Sequence, residues 1–256
     1  MTDYSKVYDQ EFFEDRNAST HYAAGRILDI ITGLLPHITS AVDVGCGVGT
    51  WLSVLKERGV NEMRGFDGHW VNRDLLQIPA DSFCEADLQQ SVVADRRFDL
   101  AISLEVAEHL PASCADTFVD SLTGLSDFIL FSAAIPNQGG VNHLNEQWQS
   151  YWAEKFRDRE FEAIDCVRSQ IWSDRQISIP YRQNIILYVV RSRVSETDAS
   201  VSEVSSLSIA HPELYELRNS KSVRQSLNDL RMTTASKLSR MFGRTQSRPP
   251  HTHDEN

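Results

Sequence analysis

The stretch AVDVGCGVGTWL, residues 41–52, decides how the rest of the chain is read. Small and apolar residues run into a glycine cluster, Gly45, Gly47 and Gly49, with one acid, Asp43, two residues ahead of the first glycine. A run that ends in glycines and opens an amphipathic segment reads as a strand turning into a helix, with bare backbone N–H groups at the turn. Dinucleotide-binding loops of this kind use GxGxxG and set a diphosphate on the helix N-terminus. Here the spacing is Asp43-x-Gly45-x-Gly47-x-Gly49, and an acid so close would repel a diphosphate. The loop suits a ligand with a cationic or hydrogen-donating head, a nucleoside that carries an amino acid.

Short β-like runs alternate with helical stretches on either side of this loop. AVDV (41–44), EMRGFD (62–67), SFCEAD (82–87), FDLAISLE (98–105) and DFILFSAAI (127–135) read as strands. Helical periodicity covers 20–35, 50–59, about 112–124 and about 146–158. FEAIDCVRSQIW (161–172) and NIILYVVRS (184–192), joined by the polar SDRQISIPYRQ, read as two further strands that finish the sheet as an antiparallel pair. The pattern predicts an α/β fold: a Rossmann-like seven-stranded sheet, mostly parallel with an antiparallel final strand, flanked by helices and followed by a C-terminal helical tail. The expected divisions are an N-terminal helical lid over 1–36, a ligand-binding domain over 37–193, a flexible linker over 194–210 and a basic helical tail with a disordered end over 211–256. In the lid, Tyr4, Tyr8, Phe12 and Phe13 sit at helix-compatible spacing; they either pack on the domain edge or close over the ligand. In the tail, Leu214, Leu217, Leu227, Leu230, Leu238, Met241 and Phe242 stand among Lys and Arg in a helix over about 212–242, before the terminal RPPHTHDEN.

The net charge of −11 is unevenly spread. Residues 218–248 hold eight Lys or Arg against one acid, Asp229, and so carry +7, which leaves −18 for the rest. So acidic a body repels phosphate backbones and argues against a long nucleic acid as partner. The basic tail is the one segment suited to an anionic membrane surface, a partner, a second copy or the acidic body itself. No apolar run is long enough to span a membrane, and the acidic N-terminus has no apolar signal core. The four cysteines, Cys46, Cys84, Cys114 and Cys166, include no CxxC pair and read as free thiols of a cytoplasmic protein.

Two more acids extend the glycine-loop reading. Asp67 ends the second strand, 24 residues after Asp43, where such folds place a carboxylate on ribose hydroxyls. Asp87, in EADL, is placed to accept from an adenine amino group, with Leu88 beside it as an apolar wall. The fourth strand runs into LEVAEHLP (104–111) at the mouth of the same crevice. Together VDVGCGVGTWL, the acid of GFDG, the EADL turn and FDLAISLEVAEHLP resemble the class I S-adenosylmethionine-dependent methyltransferases, over about residues 42–192. The resemblance implies S-adenosyl-L-methionine as cofactor, bound by Asp43, Gly45, Gly47, Gly49, Asp67, Asp87, Leu88 and Glu105.

Acceptor chemistry is sought after strands four and five. Gly139 and Gly140 make a turn, followed by His143, Asn145 and Glu146 and by the aromatics Trp148, Tyr151 and Trp152, flat surfaces suited to a ring face. His143 is the candidate base for an acceptor hydroxyl, oriented by Glu146 or Glu108, with His109 as a further catalytic candidate. The run GG-x-x-H-x-N-E-Q-W with the later IW…YRQN is similar to methyltransferases of carbohydrate and natural-product pathways, which implies a small hydroxylated acceptor such as a sugar, and a possible homo-oligomer. Two alternatives stay open. Glu105, Glu108, His109 and His143 are a conceivable divalent-metal set, similar to one in small-RNA 3′-terminal 2′-O-methyltransferases; the expectation is that no metal is held. The other is a non-catalytic methyltransferase-like binding protein.

Overall fold

The computed structural model describes residues 10–35 and 37–220, and side chains from residue 18 onward. Seven strands, β1 (Ser40–Val44), β2 (Glu62–Asp67), β3 (Phe83–Glu85), β4 (Leu100–Leu104), β5 (Phe128–Ser132), β6 (Phe161–Ile164) and β7 (Ile186–Val190), form one sheet in the order β3-β2-β1-β4-β5-β7-β6. β7 runs antiparallel to both β5 and β6, and every other pairing is parallel. The expected α/β architecture is therefore the observed one. β1, β4 and β5 are buried along their whole length, which is why they read as continuous apolar runs rather than alternating ones.

Helices cover both faces. α1 (Gln10–Leu34) and α2 (Thr50–Glu57) lie on one, where Ile27, Leu28, Ile31, Leu52 and Leu55 join Ala41, Ile102 and Leu130 in a buried cluster. α3 (Ala115–Leu125) and α4 (Gln149–Arg157) lie on the other, with Phe118, Leu122, Trp152 and Phe156 against Val42, Val44 and Phe131. Alternate residues of β1 thus feed opposite cores, the period-2 geometry of a strand. The described side chains of α1 are core-forming: Ala23, Ala24, Ile27, Leu28 and Ile31 are at most 1% exposed. Tyr4, Tyr8, Phe12 and Phe13, on which the lid reading stands, lie outside the described side chains.

Three segments differ from the sequence expectation. The sixth predicted strand, 161–172, is a strand only to Ile164; a short helix α5 (Arg168–Ile171) follows. Arg168 ends the strand reading, because its guanidinium is clamped by Asp165 at 2.7 and 2.9 Å and must turn inward. The loop before β7 contains α6 (Ile179–Asn184). Residues 194–210, expected as a flexible linker, lie against the sheet domain. Ser202 N–H donates to Ala163 O at 2.8 Å, Leu207 in α7 (Val204–Leu207) is 1% exposed, and Leu207 O accepts from Arg168 Nη1 at 2.9 Å. His211 N–H donates to Gln183 Oε1 at 2.6 Å. One compact unit accordingly runs to His211 and a second covers Pro212–Asn256. In the second, residues 212–220 are helical; the rest of the expected tail helix and its terminal residues lie outside the described residues. No helix among the described residues is long and apolar enough to cross a membrane.

A chain ended after His211 should keep the melting temperature of the sheet domain. One ended after Arg193 removes Leu207 and His211 and so takes a partner from Arg168 Nη1 and from Gln183 Oε1, at about 1–3 kcal/mol for each group left unsatisfied. Its thermal unfolding midpoint should fall by several degrees; identical midpoints for the two truncations would return 194–210 to the role of a linker.

Candidate active site

Strand order reverses between β1 and β4, the position at which open α/β sheets bind ligands beyond their carboxyl ends. The loop after β1 is built on left-handed glycines, with φ of +90° at Gly45, +54° at Gly47 and +84° at Gly49, the last immediately before α2. Gly45 and Cys46 both donate to Phe66 O, at 2.7 and 3.1 Å, which ties the loop to the end of β2. A Cβ at Gly45 would stand 2.3 Å from Val106 Cγ2, so the turn after β4 closes against this glycine.

Asp43 and Asp67 come together at the strand ends, 3% and 8% exposed. Burial, and then the charge of Asp67, push the Asp43 carboxyl well above the ordinary carboxylate range. Burial also raises Asp67, against the pull of the Gly47 and Gly68 amides and the Trp70 indole. Asp67 Oδ2 accepts from Gly47 N–H and Oδ1 from Gly68 N–H, both at 2.7 Å. This carboxylate therefore holds the glycine loop itself, a role the sequence reading did not give it. Asp87 is exposed, and its Oδ1 takes Gln89 N–H at 3.0 Å, closing its own turn. It is anchored to the same sheet edge, since the preceding Ala86 N–H donates to Asp67 O at 2.8 Å. Leu88 is buried among Val42, Val44 and Phe66.

Glu105, the first residue after β4, has φ +56°, a left-handed conformation that costs a non-glycine residue about 1–3 kcal/mol. Its N–H donates to Ser132 O at 2.9 Å, and its carboxylate accepts from Gln138 Nε2 at 2.8 Å and Asn184 Nδ2 at 3.0 Å. Gln138 and Asn184, bonded to each other at 2.8 Å, were missed by the sequence reading; a buried amide leaves no pattern of spacing. Glu105 also meets the side chain of Glu108, one of three residues that converge next to it.

Those three are Glu108, His109 and His143, whose ligand atoms all lie within 4.8 Å of one another. A short 3-10 turn, Ala107–His109, carries the first two. The loop after β5 is laid over that turn by Leu144 and Asn145, whose N–H groups donate to Glu108 O at 2.7 and 3.0 Å. Glu146, not Glu108, orients His143: its Oε1 lies 2.9 Å from His143 Nδ1. Glu146 is itself fixed by Asn137 N–H at 2.7 Å and Gly139 N–H at 2.8 Å. Gly140 makes room for the ring, since a Cβ there would lie 2.1 Å from His143 Nε2. The two imidazoles meet edge to face with centroids 4.9 Å apart. Burial, and then the neighbouring His143, pull His109 down to about 4, so it is neutral at physiological pH. Burial and Glu105 push Glu108 well up.

Of the three aromatics, only Trp148 offers an exposed face. Trp152 is 2% exposed and packs on Phe131 at 5.3 Å between centroids; it is core. Tyr151 is half-buried, with the Lys155 ammonium 5.0 Å from its ring centroid. Val141 and Leu144 join Trp148 as exposed apolar side chains on the segment that carries His143.

Gly45→Ala should destabilise the protein by roughly 1–3 kcal/mol, from left-handed strain and from the clash with Val106. Thermal unfolding of Gly45→Ala with Val106→Ala should recover the steric part and leave the strain. No recovery would mean that the turn after β4 does not close on this glycine.

Four similarities place this geometry among known proteins. A family model described as a methyltransferase domain matches residues 17–164. Trans-aconitate 2-methyltransferase of Rhizobium etli is 28% identical over 135 residues, 49% of this chain; the match spans about half (51%) of that curated relative's length. Among solved structures, DesVI of Streptomyces venezuelae superposes with a TM-score of 0.53 at 14% identity, over 74% of this chain and 99% of that one. The magnesium protoporphyrin IX methyltransferase of Synechocystis, solved with bound S-adenosylmethionine, gives 0.50 at 18% identity over 74% and 85%. Those two likenesses are of fold. The family match covers more than half of the chain and includes β1 to β6. The chain belongs to the methyltransferase-domain family of class I fold, a family that uses S-adenosylmethionine.

Proposed function

We propose that the protein transfers the methyl group of S-adenosylmethionine to a hydroxyl of a small polar acceptor, a sugar or a related metabolite. The cofactor would lie over the glycine loop, with its amino-acid end near Asp43, its ribose at Asp67 and its adenine between Asp87 and Leu88. The pairing of two desolvated carboxylates beside left-handed glycines supports this placement, since a cationic ligand gains most where anions have lost water. Glu105, pinned by two amides, borders that site from β4.

The observation that carries the acceptor class is the His143–Glu146 pair at 2.9 Å, with Glu146 fixed by two further backbone donors. Methyl transfer is an in-line displacement, and most of the enzyme's task is alignment. A hydroxyl acceptor must also lose its proton as it attacks, and a fixed imidazole answers that need. A carboxylate such as the one implied by the name of the Rhizobium relative has no proton to lose and would leave the pair without a task. In this reading His143 takes the proton, Glu146 holds it in one orientation, and neutral His109 walls the site beside it. The acidic body disfavours RNA as acceptor, and four free thiols accord with a reducing cytoplasm.

His143→Ala should lower kcat by about 10²–10⁴-fold on a hydroxylated acceptor, with cofactor affinity by calorimetry unchanged. Glu146→Gln should give a smaller loss in the same direction. Turnover that survives His143→Ala, or a preference for carboxylates across a panel of sugars and organic acids, would overturn the assignment.

A further inference from the structure

The cluster of Glu108, His109 and His143 holds more than proton transfer uses. Glu108 is 1% exposed, and its Oε2 has no hydrogen-bond partner; His109 Nδ1 is likewise buried and unpartnered. Leaving such atoms unsatisfied costs about 1–3 kcal/mol each. One donor atom from each of Glu108, His109 and His143 lies within 4.8 Å of the other two. A single shared proton can satisfy two of three lone pairs, whereas one cation satisfies all three. Glu146 on Nδ1 of His143 is also the arrangement by which a carboxylate fixes a histidine's far nitrogen and frees Nε2 for a ligand.

We propose that Glu108, His109 and His143 bind a divalent first-row transition cation, which holds the acceptor through two neighbouring oxygens. Two imidazoles and one carboxylate suit Mn²⁺, Fe²⁺, Co²⁺ or Zn²⁺ better than Mg²⁺ or Ca²⁺, whose preferred ligands are all oxygen. Three protein donors leave open positions on the ion, and a vicinal diol or a hydroxy acid fills two of them. Glu105 is not among the three converging donors; its carboxylate takes Gln138 and Asn184 and meets the Glu108 side chain.

What the ion does rests on the hydroxyl-acceptor reading and changes one role within it. A hydroxyl bound to the cation becomes acidic and gives its proton to solvent water. The oxygen lone pair then attacks the methyl carbon; the O–C bond forms, the C–S bond breaks with its electron pair going to sulfur, and the neutral thioether leaves. No redox step is involved. His143 then ligates and positions, and Glu146 sets its ring.

The test starts from full-length protein freed of metal by chelator and dialysis. Mn²⁺ titration followed by electron paramagnetic resonance, and Co²⁺ titration followed by visible absorption, should each give one site per chain. Glu108→Gln and His109→Gln should abolish that site while S-adenosylmethionine affinity by calorimetry is kept, which controls for folding. Glu146→Gln should weaken the site by about 10–100-fold. Absence of the Mn²⁺ and Co²⁺ sites in the parent protein, or equal binding by the variants, overturns the proposal. Full methylation of a hydroxylated acceptor in excess chelator also overturns it and leaves the hydroxyl reading standing. A cation site intact in binding, beside activity confined to carboxylate acceptors, supports the site and overturns the hydroxyl reading instead.

Discussion

Two carboxylates stripped of water at the ends of adjacent strands are the constraint on which the rest depends. A buried anion is costly, and Asp67 recovers part of the cost from Gly47, Gly68 and Trp70. That recovery requires the loop amides to point at β2, which the left-handed backbone of Gly45, Gly47 and Gly49 allows and which glycine adopts without strain. Asp43 lies deeper, and its charge is opposed by Asp67 as well as by burial. The pair is thus loaded against its own ionised form. In the proposed placement of the cofactor, stability is given up locally for binding, and the surrounding β1, β4 and β5 core supplies the rigidity that keeps the pair in place.

A second polar layer is organised by the turn after β4. Glu105 sits in a strained conformation, locked by Gln138 from the β5 loop and Asn184 from the end of α6. Three residues later Glu108 turns toward His109 and His143. Two acids of one short motif, in contact with each other, reach different further neighbours: the first ties together the segments after β4, β5 and α6, and the second belongs to the cluster proposed to meet the acceptor. Val106 between them packs on Gly45, so the glycine loop and the turn that carries Glu108 and His109 share one mechanical joint.

Most of the fold was legible because its signals are local. Glycines after AVDV, the acid ending EMRGFD and the buried runs at 100–104 and 128–132 mark strand ends without reference to the rest of the chain. What the sequence hid depended on distant partners. CVRSQIW reads as strand until Arg168 is seen gripping Asp165, Gln183 and Leu207. The serine-rich 194–210 reads as linker until Ser202 and Leu207 find the sheet. Trp152 was readable in retrospect, since Gln149, Trp152, Ala153 and Phe156 form one buried helical stripe and Trp148 falls before it. The His143–Glu146 pairing was visible as spacing; the tie of Glu105 to Gln138 and Asn184 was not, because those amides lie 33 and 79 residues away.

Proton linkage measures the central claim directly. The Asp43 carboxyl is raised in the folded protein from an ordinary 3.8. Above that ordinary value the unfolded chain gives up the proton while the folded chain keeps it, so this group costs stability as pH rises through its raised value. A cationic cofactor reverses the preference and expels the proton. Calorimetric titration of S-adenosylmethionine in buffers of different ionisation enthalpy should therefore register proton release at pH values below the raised Asp43 value, and Asp43→Asn should remove it while weakening binding. Binding with no proton exchange at any pH, or release unchanged in Asp43→Asn, would contradict the account.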